Sequence, residues 1–153
     1  MQSVPTSQLV PDDFAVPAGL RTEVFALEPL TVRHNERDYA AWTSSMEHIR
    51  QTPGYPDGSW PKPMSLEKNA ADLVRHARDF TSRAGFTYTV LEPATGDVIG
   101  CVYLYPAERA GFDVDVRSWV RADRAELDKP LYELVSGWLA DSWPFTNPDY
   151  APR

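Results

Sequence analysis

An α/β (α+β) fold is predicted for this chain: a mixed sheet in the order strand, two helices, three-strand meander and helix, with a short C-terminal arm. Three observations predict it. Apolar, β-branched and aromatic runs recur at Phe86–Leu91, Val98–Tyr105 and residues 112–120, and turn-rich segments separate them. Two stretches before the runs, 35–50 and 66–84, place apolar residues at intervals of three and four, and a third stretch at about 131–143 does so after them. The chain's 153 residues, 42% of them hydrophobic, suit one domain around a single core.

Taken in order, residues 1–21 form an arm, with Pro5, Pro11 and Pro17 among small and polar residues. Residues 22–145 form the domain and 146–153 a tail. A first strand is expected over 22–30, where Val24, Ala26 and Leu30 alternate with other residues until Pro29 weakens its end. The stretch 35–50 reads as one helix with Tyr39, Trp42, Met46 and Ile49 on one face, Asn35 as its cap and Thr52-Pro53-Gly54 as its end. Pro53, Pro56, Pro61, Pro63, Gly54 and Gly58 make 51–64 an irregular, restrained loop. Its Tyr55 and Trp60 either plug the core or line a pocket.

Ser65 caps the next helix, whose stripe is Leu66, Ala70, Leu73, Ala77, Phe80 and Ala84. Beside that stripe runs a polar seam of Asn69, Asp72 and His76. Asp72 and His76 lie one turn apart, so a hydrogen bond between them would be half of a general-base device or a fastening of the helix edge. In the meander, the turns 92–97 and 106–111 suggest that Tyr88 opposes Cys101 and Tyr103 opposes Val114. One face would then hold Phe86, Tyr88, Cys101, Tyr103 and Val114, and the other Thr87, Thr89, Val102, Leu104 and Trp119. Asp113, Asp115 and Arg117 share that second face, where Asp115 and Arg117 either neutralise each other or line a cleft. The last helix buries Leu131, Leu134, Val135, Trp138 and Leu139. The third meander strand is left as an edge to be covered by a partner, the arm or the tail, and a homodimer through that edge is one expectation.

A formal charge of −7 and a pI near 4.9 exclude the basic footprint of a nucleic-acid binder. No stretch has the length and apolarity of a membrane span or the pattern of a signal peptide, so a cytoplasmic protein is expected. Cys101, the single cysteine, falls in an apolar strand and reads as a small hydrophobe. His34, His48 and His76 are far apart in sequence and give no sign of a metal site. A small-molecule or protein partner remains.

Phe86-Thr-Tyr-Thr-Val-Leu91, Ile99 to Pro106, Ser118-Trp119-Val120 and Trp143-Pro144-Phe145, together with Trp60-Pro61 and the Asn69, Asp72 and His76 seam, resemble a small group within the GNAT acetyltransferase superfamily. The resemblance implies acyl transfer from acetyl-CoA to a small-molecule amine. It also implies a sheet that splays after the meander, with the cofactor's pantetheine arm along the backbone of 112–120 and its pyrophosphate held by a glycine-containing loop at the next helix. Ser118, Trp119, Val120, Arg121 and Arg124 become the cofactor-binding candidates. Tyr55, Trp60, Tyr103 and Arg117 become the substrate-binding candidates. Asp115, His76, Glu47 and His48 are the candidates for catalysis, chosen for their chemistry. At the three signature positions of the pyrophosphate loop stand Ala125, Asp128 and Pro130, and all three depart from the pattern. Pro130 lacks an N–H, and Asp128 is expected to cap the helix and meet an incoming phosphate with negative charge. A non-catalytic module of the same fold, binding a small ligand or a protein, is the alternative.

Overall fold

Six strands lie side by side in chain order: β1 (Leu20–Arg21), β2 (Ala26–Pro29), β3 (Phe86–Leu91), β4 (Val98–Tyr105), β5 (Val114–Val120) and β6 (Pro148–Tyr150). The computed structural model describes residues 8–56 and 59–153, so Pro5 and Gly58 of the expected arm and loop lie outside the described residues. Neighbouring strands are antiparallel up to β5, and β6 runs parallel to β5. Helices α1 (Asn35–Thr43), α2 (Met46–Arg50) and α3 (Leu66–Ser82) precede the meander, and α4 (Asp128–Ser142) links β5 to β6.

The first expected strand is a hairpin. The Thr22 hydroxyl accepts from Phe25 N at 3.0 Å, and Thr22 N donates to the Phe25 carbonyl at 2.7 Å, so 22–25 turns and only 26–29 is extended. The helix expected over 35–50 is broken in two. Ser45 has φ −131° and ψ 17°, and its hydroxyl accepts from Ala122 N at 2.8 Å, which draws the backbone out of helical geometry. Asn35 is not a cap. Thr31 and His34 form a reciprocal capping box one turn earlier. Asn35 instead ties α1 to α3, accepting from Asn69 Nδ2 at 2.8 Å and donating to the Leu66 carbonyl at 3.2 Å. Ser65 caps α3 as expected, accepting from Lys68 N at 3.0 Å.

The meander corrects the expected register. Tyr88 faces Val102 and Thr89 faces Cys101, while Tyr103 faces Arg117. The pairing slips between Val90 and Leu91, where Val90 opposes Gly100 and Leu91 opposes Val98, so Ile99 is the extra residue. That one residue reverses the two faces of β4. Phe86, Tyr88, Val102, Leu104, Val114 and Val116 therefore share a core with Leu131, Val135, Trp138 and Leu139 of α4. Thr87, Thr89, Cys101, Tyr103, Tyr105, Asp115, Arg117 and Trp119 face the other way, toward α1 and α3. The second core, on that side, holds Trp42, Ile49, Tyr55, Leu73, Cys101 and Trp119.

At Gly100 the neighbouring strand leaves no room for a side chain: a Cβ there would lie 2.4 Å from the Trp119 carbonyl oxygen. The obstacle is backbone, so Gly100→Ala is expected to destabilise the fold by about 2 kcal/mol or more. Chemical denaturation measures it, and an unchanged midpoint at constant slope would show that the strands part freely.

Along residues 114–116 the edge of β5 is taken by the chain's own tail. Asp113 accepts from Thr146 N at 2.7 Å and Asn147 N at 3.1 Å, which aligns 148–150 beside 114–116. The N-terminal segment closes the α4 face: Val10 is buried there, and Tyr88 donates to the Pro17 carbonyl at 2.6 Å.

Candidate functional site

A cavity of about 500 Å³ opens on the sheet face away from α4, between α1, α3, the 51–64 loop and strands β4 and β5. Four expected substrate-binding residues, Tyr55, Trp60, Tyr103 and Arg117, line it together. The proline-rich loop sets Trp60 as an aromatic wall, its ring centroid 5.3 Å from Trp42, 6.1 Å from Tyr55 and 6.3 Å from Trp119. Trp119 is fully buried and donates from its indole to the Tyr103 hydroxyl at 3.1 Å, so the two strands hold the cavity floor as one unit. The Tyr55 hydroxyl is buried and has no hydrogen-bond partner among the described residues.

Of the candidates for catalysis, His76 and Asp115 reach this cavity, and Glu47 and His48 do not line it. The break at Ser45 turns Ile49 into the core and leaves Glu47 exposed, accepting from Gln51 at 3.1 Å. Asp115 accepts from Arg117 Nε at 3.2 Å, so the two expected alternatives for this pair hold together: they neutralise each other and they line the cleft. Burial raises the Asp115 pKa, and Arg117 opposes the rise.

The expected Asp72–His76 bond is absent, since Asp72 accepts from Lys68 at 2.7 Å. His76 Nδ1 turns to the sheet instead, 3.0 Å from the Tyr105 hydroxyl and 3.0 Å from the Thr87 hydroxyl. Burial, then the Arg75 charge, push its pKa from an ordinary 6.5 down to about 4, against the weaker pull of Asp79 and Asp72. The ring is therefore neutral at physiological pH.

Sequence reasoning missed Asp38. It is 4% exposed on α1, lines the cavity, and accepts a hydrogen bond at 3.1 Å from Asn69 Nδ2. Asn69 is oriented for this by accepting from the Trp42 indole at 3.0 Å. Burial lifts the Asp38 pKa from 3.8 to about 6, and the Asn69 bond offsets only part of the rise. The one available signal was spacing, because Asp38 stands four residues before Trp42 and hence on the same helix face. In total, the carboxylates of Asp38, Asp72, Glu108 and Asp115 meet two guanidiniums, Arg75 and Arg117, around aromatic walls.

The expected cofactor strand lies beside this cavity in a different state. Ser118, Trp119 and Val120 are each fully buried. β6 accompanies β5 only along Val114, Asp115 and Val116, and beyond that point Arg153 closes the interval. Its guanidinium donates to the Ser118 carbonyl at 2.8 Å and to Asp128 Oδ2 at 2.7 Å, and its side chain is 4% exposed. The Tyr132 and Tyr150 rings flank it at 5.8 and 5.7 Å, and the Tyr150 hydroxyl meets Ser118 Oγ at 2.6 Å. Asp128 therefore does not cap α4, as the sequence suggested. The cap position falls on Leu127, with no side-chain bond, because a 3-10 stretch at Ala122–Leu127 leads straight into the helix. Arg121 donates to Asp123 at 2.9 Å and to the Val98 carbonyl at 3.2 Å, while Arg124 pairs with Glu92 at 3.5 Å. Both cations are thus engaged by acids of the chain. These residues, as arranged, do not fit coenzyme A: the strand edge, the helix start and both arginines already have partners.

Antiparallel strands leading to a β5–α4–β6 parallel unit, with a cavity beside the point where β5 and β6 part, form an α/β sheet of the acetyltransferase kind. Solved structures bear this out, and the chain has the GNAT fold. A Bordetella pertussis chain described as a GnaT-family acetyltransferase is 20% identical, with TM-score 0.56, covering 81% of this chain and 71% of that one. A ribosomal-protein-S5-alanine acetyltransferase from Vibrio fischeri matches with TM-score 0.61 at 12% identity, over 80% of this chain and 67% of that one. The microcin C7 self-immunity acetyltransferase MccE, solved with acetyl-CoA and AMP, matches with TM-score 0.57 at 10% identity, over 80% and 67%. At these identities the likeness is one of fold. No family model matches the chain, and no curated protein matches it. Among the described residues no helix is long and apolar enough to cross a membrane.

Proposed function

We propose that this chain is a GNAT-fold protein that binds a small amine-bearing molecule, as its ammonium, in the cavity between α1, α3 and the sheet. The observation that carries this reading is Asp38: a buried carboxylate at a cavity that Trp42, Trp60 and Tyr103 also line and that has more acids than bases. An ammonium is the partner such a site lacks. Its charge meets the carboxylate, and the indole faces favour a cation over a neutral group. Ethylammonium is a suitable probe, followed through the indole N–H resonances of Trp42 and Trp60. Saturable shifts are expected, with affinity reduced about tenfold or more in Asp38→Asn, and shifts that never saturate in the unsubstituted protein would sink the idea.

A second reading, an N-acetyltransferase using acetyl-CoA, draws support from the fold and from neighbours such as MccE. Against it stands Arg153, which holds the backbone carbonyl of Ser118 and the first turn of α4. Calorimetric titration with acetyl-CoA separates the readings. The ligand-binding reading expects no heat at millimolar cofactor in either the unsubstituted protein or Arg153→Ala. Binding that appears or tightens tenfold in Arg153→Ala would restore the acetyltransferase, with the C-terminal residues as a plug.

A further inference from the structure

Behind His76 the structure places a chain of groups that the expected Asp72 contact would not have supplied. Tyr105 donates its single hydroxyl proton to Asp79 Oδ2 at 2.8 Å. Its oxygen is then an acceptor, 3.0 Å from His76 Nδ1, and the Thr87 hydroxyl oxygen lies 3.0 Å from the same nitrogen. With the imidazole proton on Nδ1, both contacts of that nitrogen are accounted for: Nδ1–H donates to the Tyr105 oxygen with the Thr87 oxygen as a second acceptor, and Tyr105 donates to Asp79. With the proton on Nε2, Thr87 would donate to Nδ1, but the Tyr105 oxygen, its proton committed to Asp79, would face that nitrogen at 3.0 Å lone pair to lone pair.

We propose that Asp79 and Tyr105 are positioning residues for His76, holding it in the Nδ1–H tautomer so that Nε2 offers an acceptor lone pair to the cavity. Nε2 lies across the ring from the sheet and makes no hydrogen bond among the described residues. The other groups around the imidazole are Asp72 and Arg75 on α3 and the Tyr103 ring, 5.7 Å away. Arg75 is half exposed and lies 3.8 Å from Asp79. The neutral state that burial gives His76 keeps this lone pair available at physiological pH. Asp38 and His76 then provide two acceptors in one cavity. The ligand class narrows to a primary or secondary ammonium, which has at least two N–H donors, over a quaternary one. This specificity rests on the ammonium reading above, while the tautomer does not.

Long-range ¹H–¹⁵N correlation spectra of the imidazole at pH 7.5 give the tautomer directly. The expected result is His76 in the Nδ1–H form, becoming a mixture in Tyr105→Phe, which keeps the ring and removes only the hydroxyl. Ethylammonium is expected to shift Nε2 and to bind at least several-fold tighter than tetramethylammonium, with that preference lost in Tyr105→Phe. A dominant Nε2–H form in the unsubstituted protein overturns the positioning role. An Nδ1–H form with equal affinity for the two cations overturns the acceptor role. An Nδ1–H form with binding of neither cation supports the positioning role and refutes the ammonium reading.

Discussion

Asp38→Asn is expected to stabilise the protein by about 3 kcal/mol at pH 8 and to weaken ammonium binding in the same step. The folded carboxyl has its pKa raised from 3.8 to about 6, chiefly by burial. A raised carboxyl pKa means that the fold prefers the protonated group, so ionisation opposes folding. The opposition is absent below pH 3.8, grows between 3.8 and 6, and is complete above 6. A difference of about 2 pKa units corresponds to roughly 3 kcal/mol. Asparagine has the same shape, and its carbonyl oxygen can still accept from Asn69 Nδ2. Denaturation at pH 8 and pH 4 checks this: a gain at pH 8 that vanishes at pH 4 is the expected pair of results, and a loss at pH 8 would show that the carboxylate is held by more than Asn69. A stabilising loss of function is what a site built to receive a cation should show, because its charge is left for the ligand to neutralise.

Periodicity made the meander and the helices legible, because runs of period two and stripes of period 3.6 survive without knowledge of their partners. It could not orient β4, which is apolar on both sides: Ile99, Cys101, Val102 and Leu104 are all buried, so the pattern is unchanged by a slip of one residue. Only the bulge opposite Val90 and Leu91 decides which face holds Tyr103. The helix over 35–50 failed at Ser45 for a long-range reason, its bond to Ala122, and Glu47 and His48 left the site with it. Asp38 was hidden because an acid in the first turn of a helix ordinarily faces water and favours the dipole. Its burial arises only when α3 brings Asn69 against α1. Arg153 was hidden in the same way, in a proline-bearing tail whose strand exists because Asp113 gathers the backbone of Thr146 and Asn147. Asp128 was expected to cap α4, yet its partner is Arg153, a residue from the far end of that tail.

Between pH 6.5 and 4, Asp38 and His76 are expected to hide each other's effect on stability, and separating them exposes about 3 kcal/mol of each sign. The His76 pKa falls from 6.5 in the unfolded chain to about 4 in the fold, through burial and then Arg75. Below pH 6.5 the unfolded chain takes up a proton that the fold refuses until about pH 4, so this group's contribution is lost as pH falls through that window. Asp38 acts oppositely, since the fold takes up a proton below about pH 6 that the unfolded chain refuses until 3.8, and stability rises toward acid. The two windows nearly coincide, and each spans roughly 3 kcal/mol. Relative to the unsubstituted protein, Asp38→Asn should therefore lose about 3 kcal/mol more on going from pH 6.5 to 4. His76→Asn, whose amide can still donate toward Tyr105, should lose about as much less. Urea titrations at pH 6.5, 5.5 and 4 test both variants, and profiles parallel to that of the unsubstituted protein would show that neither group carries its shift. The double variant should return to the unsubstituted slope, because the remaining carboxylates are common to all four proteins and cancel in the comparison.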